Sequence, residues 1–355
     1  DALDAVLTDW QAIVNGCSTA NVFYEPWMVM PALQHLPRTD TVFFLIIYSS
    51  DKEEGSSKPV GFFPFSISNK LKRIPMRYLA TWQYVHCYLC NPLVVDGYED
   101  ECIESVYDFV ASETSLPNTI RWHEMYKDSS FYKALDRYTA ANTSSQFKKE
   151  RKRAFQSFNN LASVDALISA KHRRDLNRRE RRLNDLGVLK FVPTSTQAYN
   201  NQWQENFLTL EGAGWKANKN TSLKQSQHDM DFLKAIVAQG KEHISVSSAY
   251  IDDKLISANI ELHSQGGAYI FKIAHDESLG KYAPGVLLQM HVLKQLKTDA
   301  ACWLDTCASE HDSMWNRLCQ ERKTIATLIT TTKLTHKLMT KIFPILKRIK
   351  HLIRR

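Results

Sequence analysis

The stretch Leu255 to His263 alternates. Ile256, Ala258, Ile260 and Leu262 fall on one face of a strand, and Ser257, Asn259, Glu261 and His263 on the other. A turn at Gln265 and Gly266 folds the chain back along Ala268 to Ala274, and a tight hairpin there sets Asn259 against Lys272 and Glu261 against Ile270. Lys272, flanked by Ile270, Phe271, Ile273 and Ala274, is costly to bury unpaired, and Glu261 is the partner lying diagonal to it. A carboxylate and an ammonium group sharing one sheet face suit proton transfer and the holding of a negative charge. Glu261 takes the proton of an attacking amine or hydroxyl, directly or through water, while Lys272 stabilises the oxyanion or holds the acceptor. The competing account is a structural ion pair. His275 and Asp276, at the end of the same strand, are either alternative bases or turn formers.

Beyond that strand the chain is built for an anion. Pro284 suits the first position of a helix running to Lys297, the N-terminal N–H groups of that helix point at an anion, and Gly285 permits close backbone approach. A strand from Cys302 to Asp305 follows, with Asp305 at its end and Cys307 just beyond. Nothing marks a His partner for Cys307, so direct transfer is expected in place of an acyl-cysteine. The absence of GxSxG, of a P-loop and of a complete GxGxxG argues against serine hydrolases, P-loop NTPases and dinucleotide enzymes. Two basic blocks, Lys148 to Arg153 and Lys171 to Arg182 with Arg173 and Arg174, are either solvated helix faces or phosphate-binding ones. In the second, Leu176, Leu183 and Leu186 make a narrow apolar stripe and Gly187 a helix stop.

The elements that must position these residues occur twice. Strands at Val42 to Tyr48, Val60 to Ile67 and Ile74 to Trp82 form a meander. After it come the strand-like Cys87 to Val95, a helix from Glu99 to Ser112 and a strand at Ile120 to Met125. Strands at Ile244 to Ile251, Leu255 to Leu262 and Ala268 to Ala274 repeat the meander before the second helix and strand. The expected fold is therefore α/β with mixed sheets in two domains, residues 1–145 and 188–330, joined by a basic helical connector at 146–187. The 355 residues, 44% hydrophobic, suffice for two cores. Eight cations with no acid occupy residues 331–355; taking them from the net charge of +7 leaves the rest of the chain at −1. Leu334, Leu338, Ile342, Ile345, Ile349 and Leu352 give that tail an apolar stripe, interrupted at Pro344, which suits reversible attachment to an anionic membrane surface. No run is long enough for a span and no signal-peptide layout is present, so the chain is expected in the cytoplasm, peripheral on the inner membrane if the tail binds there. The seven scattered cysteines read as free thiols, with Cys87 and Cys90 as core residues, and no metal site is assigned.

Five ordered blocks resemble a known family: NVFYEPWMVMPALQHL (21–36), RRDLNRRERRLNDLG (173–187), FLTLEGAGWKA (207–217), AYIFKIAHDESLGKYAPGVLLQMHVL (268–293) and WLDTCASEHDSMWNRL (303–318). They are similar to the CelD-type, BioF-like branch of the GNAT acetyltransferases, which is related to the Fem-type aminoacyltransferases. The resemblance implies two tandem GNAT-like domains and transfer of an acyl group from acetyl-CoA or another acyl-CoA. The implied acceptor is an amine or hydroxyl of a small-molecule or lipid-linked sugar, in polysaccharide or cell-envelope synthesis. It places the donor diphosphate on Lys281, Tyr282, Pro284, Gly285 and Val286, although Pro284 and Val286 stand where the family pattern has small residues. It also assigns Trp215 and Lys216 to an acceptor-site wall; with Arg173, Arg174, Asn259 and Asp305 they complete the substrate-binding candidates. Two alternatives remain: aminoacyl-tRNA as donor, the one case in which a specific nucleic acid is expected, and a noncatalytic membrane or RNA adaptor that keeps the fold.

Overall fold

The computed structural model describes residues 3–49, 57–69, 75–142, 145–192, 201–213 and 222–331. The chain forms two compact units that interleave along the sequence. Of the described residues, the first takes those within 1–26 and 38–151 and those from 324 to 331, and the second takes those within 27–37 and 152–323. The expected boundaries differ because the connector is not a separate element and because α2 and β12, defined below, each join the unit remote from their neighbours in sequence.

In chain order the first half contains α1 (Leu7–Gly16), α2 (Pro26–His35), β1 (Thr41–Tyr48), β2 (Pro59–Ser68), β3 (Tyr78–Thr81), β4 (Leu93–Val94), α3 (Glu99–Ser112), β5 (Thr119–Tyr126) and α4 (Ser130–Asn142). The second half contains β6 (Ser145–Ser157), α5 (Ala170–Asn184), β7 (Leu189–Val192), α6 (Asn201–Ala213), α7 (Gln227–Gln239), β8 (Ile244–Ile251), β9 (Lys254–Ser264), β10 (Gly267–His275), α8 (Pro284–Thr298), β11 (Trp303–Asp305), α9 (Trp315–Leu318) and β12 (Glu321–Thr331). Of the expected strand at Cys87 to Val95 only β4 forms. Cys87 and Cys90 lie in the preceding loop, both buried, with their Sγ atoms 3.7 Å apart.

The first unit orders its strands β1-β2-β3-β5-β12, with β4 also pairing β2; the second orders them β6-β11-β10-β9-β8-β7. In each unit a meander is followed by a helix and a parallel strand, β3 to β5 through α3 and β10 to β11 through α8. The last strand is then exchanged: β12, the end of the second half, pairs with β5, while β6, which follows the first half, pairs with β11. The repeat seen in the sequence is thus the repeat of the fold, apart from this exchange.

The core of the first unit packs Phe63, Phe65 and Trp122 against Ile103, Val106 and Val110 of α3. In the second, Leu288, Val292, Leu293 and Leu296 of α8 pack on Ala249, Ile256 and Ile270, with Leu176 and Leu183 of α5. Each buried Val, Leu, Ile or Phe among them contributes roughly 1.5–3 kcal/mol by leaving water. Leu186 does not join them, because α5 ends at Asn184 and leaves it exposed. Helix α2 is drawn into the second unit by its Trp27, whose ring stacks on His243 and lies so close to Gly240 that an added Cβ would fall 2.2 Å from it.

Candidate functional site

The hairpin β9–β10 turns where expected, and Glu261 does face Ile270. Between Ile270 and Lys272, however, β10 bulges, and Lys272 pairs with Ile260 instead of Asn259. Directly opposed residues share a face, so one extra residue moves Lys272 to the face opposite Glu261. The expected Glu261–Lys272 juxtaposition is therefore corrected: the two lie on opposite sides of the sheet. The Glu261 side is covered by α8, because Ala249, Ile270 and Ile273, which oppose Ser257, Glu261 and Asn259, pack with the α8 leucines. The Lys272 side faces α6, whose Trp203 Nε1 donates to Ser248 Oγ at 2.8 Å, Ser248 being opposite Ala258. Lys272 is half-buried, its Nζ 5.0 Å from the centre of the Phe271 ring.

Glu261 is 2% exposed and sits in a polar cluster. Asn259 Nδ2 donates to its Oε1 at 2.6 Å and Ser245 Oγ donates to its Oε2 at 2.7 Å. Ser245 Oγ also lies 2.7 Å from His263 Nε2; with its hydroxyl proton committed to Glu261, it accepts from that nitrogen. Burial pushes the Glu261 carboxyl up to about 7, against the opposing effect of hydrogen bonds from Ser245, Ser247 and Asn259. Burial likewise lowers His263, which is neutral in the same range. Glu261 therefore changes charge near neutral pH, as suits a general base.

Asp276 is fixed differently. Its Oδ1 accepts from Ser278 N at 3.0 Å and Oγ at 2.5 Å, and its Oδ2 pairs with Lys254 Nζ at 2.7 Å. Burial opposes its ionisation, but the hydrogen bonds from Lys254 and Ser278 outweigh it and hold the carboxyl below its ordinary value. It is a turn former and a weak base. His275 closes β10 with its ring against the start of α8, where a Cβ on Gly285 would lie 3.3 Å from His275 Nδ1.

The start of α8 gathers most of the expected donor residues. A 3-10 turn over Glu277–Tyr282 leads through Ala283, at φ 55°, into Pro284 at the head of the helix. No side chain caps this end and its first turn carries no acid, an arrangement that suits an anion at the first N–H groups of the helix. Lys281 Nζ lies 4.8 Å from the centre of the Tyr282 ring. Helix α5 lies alongside: Arg179 Nη1 donates to the Lys281 carbonyl at 2.7 Å and its Nε to Asp175 Oδ2 at 2.8 Å. Arg173 and Arg174 are exposed on the same helix, with Arg174 Nε turned back to the Ala170 carbonyl. Asp305 is fully buried. It pairs with the equally buried Arg153 at 3.1 Å and accepts from Cys307 N–H at 2.7 Å, which makes it a support of the β11 end instead of a group offered to substrate. Trp215 and Lys216 lie outside the described residues.

Sequence reasoning did not single out Arg179, Ser245, His263 or Arg153. The Asp175–Arg179 spacing of one helical turn was available as a signal for the first, whereas Ser245 meets Glu261 only through the pairing of β8 with β9.

Residues 170–312 match a family described as an acetyltransferase (GNAT) domain, a match that begins at α5 and contains the Glu261 cluster and the start of α8. Among solved structures, FemX superposes with a TM-score of 0.61 at 10% identity, over 95% of this chain and 98% of that one. The C-terminal domain of a putative lysylphosphatidylglycerol synthetase from Agrobacterium fabrum gives 0.57 at 10% identity, over 97% and 96%. A conserved protein of unknown function from Bacteroides thetaiotaomicron gives 0.58 at 8% identity, over 92% and 97%. At these identities the likeness is one of fold. No curated protein sequence matches the chain.

Proposed function

From the premise that residues 170–312 form a GNAT-type acetyltransferase domain, we propose that the second unit transfers an acyl group from acetyl-CoA or another acyl-CoA to an amine or hydroxyl. We further propose that the acceptor is a sugar or lipid-linked precursor of envelope or polysaccharide. The observation that carries the donor assignment is the uncapped, acid-free start of α8, preceded by the left-handed Ala283 and entered at Gly285. A diphosphate there meets converging N–H groups and the positive end of the helix. A Cβ added at position 285 would already lie 3.3 Å from His275 Nδ1, so a larger side chain would intrude on that ring.

The thioester supplies the activated acyl group. Glu261, at about 7 in its buried cluster, receives the proton lost by the acceptor, and Ser245, which donates to its carboxylate and accepts from His263, holds it in place. Lys272, on the opposite face of the sheet, takes no part at the Glu261 cluster. Aminoacyl-tRNA is the alternative donor, favoured by the exposed arginines of α5. Titration of the full chain with CoA and, separately, with charged tRNA decides between them: saturable binding of CoA alone is expected, and binding of tRNA alone overturns the donor assignment.

None of the described helices is long and apolar enough to cross a membrane. Residues 332–355 lie outside the described structure, and their membrane attachment stays a proposal from their amphipathic, acid-free sequence. Deleting residues 331–355 should abolish salt-sensitive sedimentation with anionic liposomes; equal partitioning with and without the tail would remove it as an anchor.

A further inference from the structure

The loop that leads from β10 into α8 is tethered by a residue of α5. Ala283 in that loop is left-handed, at φ 55° and ψ 51°, a conformation unfavourable for a residue with a Cβ. Three constraints hold the chain around it. Ala283 N–H donates to the Gly280 carbonyl at 3.0 Å. The ring of Pro284 fixes the next φ. Arg179 Nη1 donates to the Lys281 carbonyl at 2.7 Å. That guanidinium is itself aimed, because its Nε donates to Asp175 Oδ2 at 2.8 Å one turn earlier on α5, while Arg178 takes the other oxygen, Oδ1, at 2.5 Å. The Arg179 side chain stays 33% exposed, so its charge remains accessible to a solute at the loop.

We infer that Arg179 is a donor-positioning residue: it fixes the peptide ahead of the first N–H groups of α8 and sets a positive charge beside them, so that backbone and guanidinium together bind the donor diphosphate. This rests on the acyl-CoA assignment. It separates Arg179 from Arg181, which is exposed on the same helix and carries the same charge but has no bond to the loop. Lys at position 179 would keep the charge but could not serve Asp175 and the Lys281 carbonyl at once through a planar fork.

The test is calorimetric titration of the full chain with CoA. Arg179→Gln should weaken binding about 10- to 100-fold, the range for losing a charged hydrogen bond. Arg179→Lys should fall between that variant and wild type. Arg181→Gln should stay within about twofold, since an exposed charge remote from the ligand contributes little. Arg179→Gln binding as tightly as wild type, or no more weakly than Arg181→Gln, would overturn the inference while leaving the CoA site standing. Should Arg179→Gln fail to fold, Arg179→Lys decides, and wild-type affinity in that variant overturns the two-ended role. A wild-type chain that does not bind CoA would overturn both this inference and the donor assignment.

Discussion

Helices α3 and α8 occupy the same place in the two units, each crossing between parallel strands, yet their N-termini carry opposite chemistry. The first turn of α3 contains Glu99, Asp100 and Glu101. Glu99 Oε2 accepts from Gly97 N–H at 2.9 Å, and Asp100 pairs with Arg137. Neither start has a side-chain cap, but the first turn of α8 has no acid, and a guanidinium is bonded to the loop before it. A duplicated crossover therefore provides an anion site only where its own sequence does not already supply the anion. The crossover is present in both units, whereas the acid-free helix start is present in one, which is why function has to be argued from the residues at a helix start and not from topology.

The comparison breaks most readily at Gly285. Gly285→Glu places both a carboxylate and a side chain at that start, giving α8 the character of α3. CoA affinity should fall at least about a thousandfold, roughly 4 kcal/mol, and unchanged affinity by calorimetry would detach the donor from α8. A second contrast concerns ion pairs. Asp305–Arg153 in the second unit is fully buried, while Asp100–Arg137 in the first has side chains 70% and 66% exposed. Asp305→Ala should destabilise its unit by about 3–5 kcal/mol, against under about 1 kcal/mol for Asp100→Ala. Equal midpoints in denaturant would show that the buried pair is not a support.

The third contrast is in pH. A carboxyl raised from 4.5 to about 7 favours the folded, protonated form. The contribution is complete below 4.5 and is lost as pH rises to about 7, a decline of roughly 2–4 kcal/mol across that window. Glu261→Gln should remove this decline while leaving CoA affinity near wild type, and a wild-type pH profile of stability in the variant would contradict the burial account of Glu261. The smallest effect belongs to α3. Glu99→Gln with Glu101→Gln should cost about 0.3–1 kcal/mol per charge and leave CoA stoichiometry at one site; appearance of a second site would show that those acids alone distinguish the units.

Much of this was legible in the sequence. The alternation from Ile256 to His263 gave the strand, Pro284 and Gly285 the helix start, and Glu99 to Ser112 the bounds of α3. The pairing of Glu261 with Lys272 was not, because a bulge of one residue at Phe271 has no distinct signature among apolar neighbours yet reverses the face of everything after it. The Asp305–Arg153 bond joins residues 152 positions apart across an exchanged strand, so local patterning could not supply it. The strand exchange was hidden for the same reason: a repeat read along the chain assigns each strand to its sequence neighbours, and β6 and β12 are paired the other way.

The central claim is that the donor binds at the start of α8 and not at the start of α3. Amide hydrogen exchange of the full chain, with and without CoA, tests it directly. The account predicts added protection in residues 281–288 and none in residues 97–103; protection at the α3 start, or at neither start while CoA is bound, would contradict it.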